Sequence, residues 1–224
     1  MTLYDISMTI SEDMAVYKNR PAKKPLLKNS ASFENSTVYE TRLDMDLHTG
    51  THIDMPLHLL PGGATSDQWQ HSDTMTCCLV LDFSAMTGDA LTAELLGREM
   101  SKLEAQGLAL KSVETVLLKT KNSFSDRFDF NFIYLDRTGA EYLAEKRFRG
   151  VGIDALGIER DQPGHETHKT LLGAGIWILE GLRLQKVPPG LYTLMLFPLK
   201  IKGVEAMPAR AVLLEPGCEN LPGN

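Results

Sequence analysis

The stretch LDMDLHTGTHIDMPLHL, Leu43 to Leu59, decides how the rest of the chain is read. Three of the six histidines, His48, His52 and His58, fall within eleven residues of it. Taken as extended chain, its odd positions are mostly apolar (Leu43, Met45, Leu47, Ile53, Met55, Leu57, Leu59), while its even positions carry Asp44, Asp46, His48, His52, Asp54 and His58. Side chains two apart share one face of a strand. His52 and Asp54 are therefore expected to project together, with His48 and His58 of the same parity. Gly50 and Pro56 interrupt regular pairing. A straight strand spaces i, i+2 side chains about 7 Å apart, so a bend is what would let them converge. A metal asks for nitrogens and oxygens at roughly 2.0–2.2 Å from one point, and the spacing H-x3-H-x-D supplies two imidazoles and a carboxylate. The competing reading makes these histidines hydrogen-bonded core residues and Asp44 and Asp46 a solvated strand face. Three rings clustered with an aspartate of matching parity favour the metal.

A completion of the site is expected downstream, in HKTLLGAGIWILEGL. His168 opens a short helix, His168 to Leu172, that ends at the glycines of GAG. Glu180 ends an apolar strand, where burial is costly unless the carboxylate is paired or metal-bound; the alternative is that it marks the strand's exit to solvent. His71 and His165 lack comparable settings and are assigned to the surface.

Further out, strand-like patterns occur near Leu3 to Ile10, Ser36 to Leu47, Cys78 to Phe83, Thr115 to Leu118, Val151 to Ile153, Ile176 to Leu179, Leu191 to Phe197 and Ala211 to Leu214. Leu95, Leu96, Met100 and Leu103 form the apolar stripe of one helix. Thr138 and Glu141 read as a capping box opening another, Gly139 to Arg147. This mixture predicts a strand-rich α/β domain, and the strand-heavy N-terminal half argues against a simple doubly wound sheet. With 224 residues and no repeat or linker, a single domain over 1–224 is the simplest division.

The composition is that of an ordinary globular protein, 43% hydrophobic and 23% charged, with a formal net charge of -6. That balance disfavours nucleic-acid and anionic-membrane partners. The one basic stretch, Lys18 to Lys28 (KNRPAKKPLLK), reads as a solvated loop. No transmembrane run is present, and Asp5 interrupts any apolar leader core in MTLYDISMTI. The cysteines are Cys77, Cys78 and Cys218; an odd total with two adjacent members reads most simply as reduced thiols in a cytoplasmic protein. No cysteine-based zinc pattern exists, so a metal here must use His and carboxylate ligands.

At this point the sequence resembles the cyclase-like metal-dependent hydrolases that include bacterial kynurenine formamidase and isatin hydrolase. Their HxGTHxDxPxH hallmark appears as HTGTHIDMPLH, and the likeness continues through VGIDALGIE, HKTLLGAGIWILEGL, LFPLKIKG and MPARAVLL. The resemblance implies a swivelling β/β/α fold, usually as a homodimer or homotetramer. It also implies metal ligation by His48, His52 and Asp54, with His168 and Glu180 completing one or two sites, and Asp54 and Glu180 bridging if two ions bind. His58 matches the proton-transferring residue. His/carboxylate ligands suit Zn²⁺ or Mn²⁺. The implied reaction is hydrolysis of a small non-peptide amide, arylformamide-like or cyclic, with His58 moving the proton. Two alternatives stand beside it: a metal-binding member without hydrolase activity, and a cyclase or dehydratase using the same metal.

The chain departs from its relatives at two places. Where they carry an aromatic residue followed by Pro-Gly-Asp, it has Tyr17 and then Lys18-Asn19-Arg20. Tyr17 is the expected substrate contact, by stacking, or else it only packs its loop. Where relatives often have Ser in a D-x-x-S stretch, this chain has Gly157 in Asp154-Ala-Leu-Gly157, so a relay hydroxyl is missing. Both changes bear on which amide is taken rather than on the metal.

Overall fold

The computed structural model describes residues 1–215 and Cys218. In chain order the strands are β1 (Thr2–Asp5), β2 (Leu26–Ala31), β3 (Glu40–Asp44), β4 (His52–Asp54), β5 (Met75–Asp82), β6 (Ala90–Leu91), β7 (Thr115–Lys119) and β8 (Tyr134–Leu135). They continue as β9 (Gly150–Ile153), β10 (Trp177–Glu180), β11 (Gly190–Pro198) and β12 (Ala206–Glu215). Three helices, α1 (Ala93–Ala105), α2 (Arg137–Glu145) and α3 (Glu166–Gly173), lie between them.

The main sheet runs β1-β12-β11-β5-β7-β9-β10-β4, and β4 also pairs with β12. That second pairing closes seven strands into a barrel. Strands β5, β7, β9 and β10 are parallel, while β4, β11 and β12 are paired antiparallel. Alternation along the strands explains the two cores. Leu79 and Leu81, Val116 and Leu118, Val151 and Ile153, and Ile178 point outward and pack against Leu96, Met100, Leu143, Leu171 and Leu172 of the helices. The intervening residues, among them Cys78, Val80, Leu117 and Leu179, meet Ile53, Leu194, Leu196, Met207 and Leu213 inside the barrel. Helices on the parallel wall, with the antiparallel wall behind it, make the β/β/α layering that the resemblance implied.

Several local expectations need correction. Helix α2 is capped by Asp136, which accepts from the Gly139 backbone N–H at 2.8 Å, and not by Thr138. The carboxylate outcompetes the hydroxyl because it meets the positive helix end as an anion. The N-terminal strand stops at Asp5. The stretch Leu43 to Leu59 is broken as expected: between Asp44 and His52 the chain turns, and Pro56–His58 is a single tight helical turn. Lys18 to Lys28 is not merely a loop, since it contains two short turns and the start of β2. The cysteines are not all reduced: Cys77 and Cys218 form a disulfide across 141 residues, leaving Cys78 free and buried. Pairing brings this about, because Cys77 lies opposite Thr193 in the β5–β11 register and the Cys218 N–H donates to the Thr193 hydroxyl. Among the described residues no helix is long and apolar enough to cross a membrane.

Candidate metal centre

The pairing of β4 with β10 builds the site. Glu180 lies opposite His52 and Ile178 opposite Asp54 in the antiparallel register. Since Ile53 and Leu179 enter the barrel, parity turns His52, Asp54 and Glu180 to its outer face. Helix α3 packs over β10 at that place and brings His168 down onto them. The chain reaches β4 through Gly50, whose φ of 73° few other residues adopt readily. Gly181, φ 70°, comes so close that a Cβ there would sit 2.3 Å from the Gly50 carbonyl oxygen. Thr51 donates its hydroxyl to the Gly181 carbonyl at 2.7 Å and accepts the Met8 N–H at 2.8 Å. This contact locks the motif's turn against the end of β10.

The candidate ligand atoms converge without bonding one another. His52 Nε2 is 3.4 Å from Asp54 Oδ1 and 3.5 Å from Glu180 Oε2. His168 Nε2 is 3.3 Å from Glu180 Oε1 and 3.6 Å from Asp54 Oδ2. His48 Nδ1 lies 2.9 Å from Asp54 Oδ1. Despite this proximity, His52 Nε2 and both Asp54 oxygens are buried with no hydrogen-bond partner of acceptable geometry. Unpartnered buried polar atoms are costly, and a ring nitrogen facing carboxylate oxygens at such distances is the arrangement of groups sharing a cation. Behind each ring stands an acceptor. His52 Nδ1 faces the Gly50 carbonyl at 2.9 Å, and His48 Nε2 lies 3.4 Å from Glu205 Oε1. His168 Nδ1 lies 3.3 Å from Glu159 Oε1 without hydrogen-bond geometry, while the His168 backbone N–H donates to Glu159 Oε2 at 3.2 Å. Acceptors of this kind orient metal-bound imidazoles. The donor set of nitrogens and carboxylate oxygens therefore fits a divalent metal.

Electrostatics agree. Burial disfavours a charged His52, but Asp54 and Glu180 outweigh it and raise its pKa to about 9. His168 is raised well above its ordinary value, against burial, by Asp54, Glu159 and Glu180. Asp54 is held far below the usual carboxylate range by the surrounding rings although burial opposes this. A cation is what these carboxylates recruit, and in its absence the histidines supply protons instead.

His58 stands at the edge of this cluster, its ring centroid 4.2 Å from that of His48 and 5.7 Å from that of His168. Burial lowers its pKa, with Asp54 pulling the other way, so the ring favours the neutral form. His48, Asp54 and His58 also lie close enough to hold an ion by themselves, as do His52, Asp54 and Glu180; the two sets share Asp54. The centre opens into a cavity of about 270 Å³ bordered by Tyr17, His58, Gly157 and His165. Tyr17 packs edge-on against Phe128 at 5.3 Å between centroids.

All six residues expected at the centre are thus assembled, His48, His52, Asp54, His58, His168 and Glu180, with Tyr17 in the cavity wall. His71 is exposed as expected. His165, assigned to the surface, is largely exposed but bonds Glu159 through Nδ1 and borders the cavity. Glu159 and Glu205 were not foreseen. Glu159 ends the GIDALGIE stretch, and its one sequence signal is an acidic residue following an apolar strand.

Fold and site together define a metal-centre protein built on a closed β-barrel with helices on one wall. The chain belongs to the family described as Putative cyclase, whose model matches residues 4–160. It is 32% identical over 216 residues to a kynurenine formamidase from Salinibacter ruber, covering 95% of this chain and 97% of that one. Among solved structures it is similar to a potential metal-dependent hydrolase with cyclase activity, at 46% identity and a TM-score of 0.82, covering 95% and 96% of the two chains. Isatin hydrolase A from Labrenzia aggregata shares the fold, with a TM-score of 0.79 at 22% identity over 95% and 93% of the chains.

Proposed function

We propose that this chain is a metal-dependent hydrolase of a small non-peptide amide, arylformamide-like or cyclic. The observation that carries the reading is the buried convergence of His52, His168, Asp54 and Glu180 with unpartnered atoms, beside a neutral-leaning His58. In this proposal His48, His52, Asp54, His168 and Glu180 would hold one or two ions, Zn²⁺ or Mn²⁺, and the grouping of His52, Asp54 and Glu180 within reach of one point supports it. A divalent cation held there supplies Lewis acidity, acidifying water and polarising the amide carbonyl. The protein's own share is then positional and protonic. Asp54 and Glu180 fix the centre at the cavity floor, and Tyr17 offers a flat wall for an aromatic or cyclic amide. His58 takes a proton from the attacking water and returns it to the departing nitrogen, which requires the neutral ring that burial favours. The similarity to a kynurenine formamidase supports the C–N bond as the target.

We propose further that the protein works as a homodimer or homotetramer; the cytoplasm, which fully reduced cysteines would favour, has the Cys77–Cys218 bridge against it. The hairpin β2–β3 supports assembly: nearly all its residues are exposed, including Leu26, Leu27, Val38, Tyr39 and Leu43, and a two-stranded ribbon without a covering layer is marginal by itself.

Metal analysis combined with assays on N-formylkynurenine, isatin and simple lactams tests the reaction. Turnover of at least one by the fully metallated protein is expected. Inactivity on all three removes these substrates and leaves the metal-binding or cyclase alternatives, the latter recognised by a product without solvent oxygen.

A further inference from the structure

The turn that follows Tyr17 brings three cations to the mouth of the metal centre. Lys18, Arg20 and Lys23 all border the same cavity as His48, His58 and His168. Two of them are already answered. Lys18 pairs with Asp161 at 3.4 Å and Lys23 with Asp46 at 3.1 Å. Of the acidic groups inside, Asp54 and Glu180 face the centre, and Glu159 is engaged by His165 and His168. Arg20 alone among the three has no ion pair within the described residues.

We propose that Arg20 is a specificity residue that binds a carboxylate on the substrate, so that the amide accepted here is an anion. The inference rests on the hydrolase reading and narrows its substrate class. A guanidinium presents a planar fork matched to a carboxylate by two parallel N–H···O bonds. Arg20 also does not sit on a drifting loop. Lys18 and Asn19 both have left-handed φ, 55° and 50°; Asn tolerates this readily, whereas a lysine there marks a conformation set by its surroundings. The Asn19 N–H donates to the Val16 carbonyl at 2.9 Å, and the Arg20 N–H to the Tyr17 carbonyl at 3.3 Å. Pro21 then fixes the backbone directly after Arg20 and opens a second turn, closed by the Lys23 N–H on the Arg20 carbonyl at 3.0 Å. Finally, the Thr49 hydroxyl donates to the Lys23 carbonyl at 3.0 Å, tying this basic segment to the metal motif itself. The backbone at Arg20 is thus set relative to the centre, at the cavity border it shares with Tyr17. A neutral amide gains nothing from it. An aromatic amide with a carboxylate substituent meets Tyr17 with its ring and Arg20 with its charge.

The test compares formanilide with the N-formyl derivatives of ortho-, meta- and para-aminobenzoate on the metal-loaded protein, the three isomers sampling the distance from Arg20 to the centre. We expect at least one carboxylated isomer to exceed formanilide about tenfold in kcat/KM, mostly through KM. That ratio should fall toward one in Arg20→Gln and with rising salt, as for a partly exposed ion pair, while Lys111→Gln, a remote charge change, leaves it intact. Equal or better use of formanilide, or a ratio unmoved by Arg20→Gln, overturns the proposal. If nothing is turned over, calorimetry of the aminobenzoates against aniline separates the two readings. Binding that depends on both the carboxylate and Arg20 upholds this inference while the hydrolase reading fails, and its absence overturns the inference as well.

Discussion

His52 and Glu180 are directly paired across β4 and β10, and their Nε2 and Oε2 atoms face each other at 3.5 Å inside the protein. The separation is too long for a good hydrogen bond and short enough for two ligands of one ion. In the ion-free protein a proton takes the ion's place, since His52 has its pKa raised to about 9 and His168 lies well above its ordinary value. Metal binding must expel those protons. Metal affinity should therefore rise with pH between about 6 and 9, by up to about tenfold per unit for each proton displaced. Calorimetry in buffers of different ionisation enthalpy would count the protons, and a pH-independent affinity with no proton release would contradict the assignment.

The same shift has an opposite consequence for the ion-free fold. A histidine whose pKa is raised on folding stabilises fully below its unfolded value of about 6.5. That contribution disappears as the pH climbs through the folded value of about 9. Chelated protein should lose denaturant resistance from neutral to alkaline pH, and metallated protein should lose less. Urea midpoints at several pH values, with and without chelator, check both halves.

His58 is assigned to proton transfer, yet it lies close enough to His48 and Asp54 to ligate. The two roles separate cleanly. His58→Ala should keep the full metal content and lose roughly 10²–10⁴ in kcat, the ordinary range for a general base. Because burial lowers the pKa of His58, the acid limb of kcat/KM should fall below pH 6.5. Loss of bound metal in the variant would make His58 a ligand instead.

Glu159 does not face the centre but stands behind His168. Replacing it with Gln should weaken metal binding roughly 10- to 100-fold, the usual effect of removing an orienting partner. Competition against a chromophoric chelator measures this, with circular dichroism to confirm that the fold persists.

Gly181→Ala should cost about 3 kcal/mol of stability, from a left-handed φ and a Cβ driven onto the Gly50 carbonyl. Metal affinity should fall with it, since that contact sets the turn before His52. Equilibrium unfolding of the metal-free protein isolates the first effect.

Much of this was legible in the sequence because it is local. Strands β5, β7, β9, β10 and β11 appear as apolar runs, and parity alone placed His52 and Asp54 on one face. What was hidden depends on distant pairing. No periodicity announces that β4 bridges β10 and β12 to close the barrel. Nor does spacing alone reveal the Cys77–Cys218 bridge, which depends on β11 and β12 bringing Cys218 to the edge of β5. The convergence of His48 and His58 was legible in outline, because Gly50 and Pro56 mark the breaks, and the structure has a turn at Gly50 and a helical turn at Pro56. Glu159 was missed because one acidic residue after an apolar strand says nothing about the ring it will face.

The disulfide offers a simple count. Unfolded without reductant, the chain should show one reactive thiol, Cys78, and after reduction all three. Three thiols before reduction would return the protein to the fully reduced state that its sequence suggests.

Gly157 touches Tyr17: a Cβ at that position would lie 3.1 Å from the tyrosine ring, which already leans on Phe128. The turn that departs from the relatives directly after Tyr17 and the glycine at 157 therefore meet at one ring. A hydroxyl-bearing residue returns at 157 only if the Tyr17 ring gives way by a few tenths of an ångström. In a directed-evolution library, substitutions at 17 and 157 would be coupled rather than additive, since the two residues are in contact. A new substrate would then be reached by a coupled step across the pocket wall rather than by changing either residue in turn.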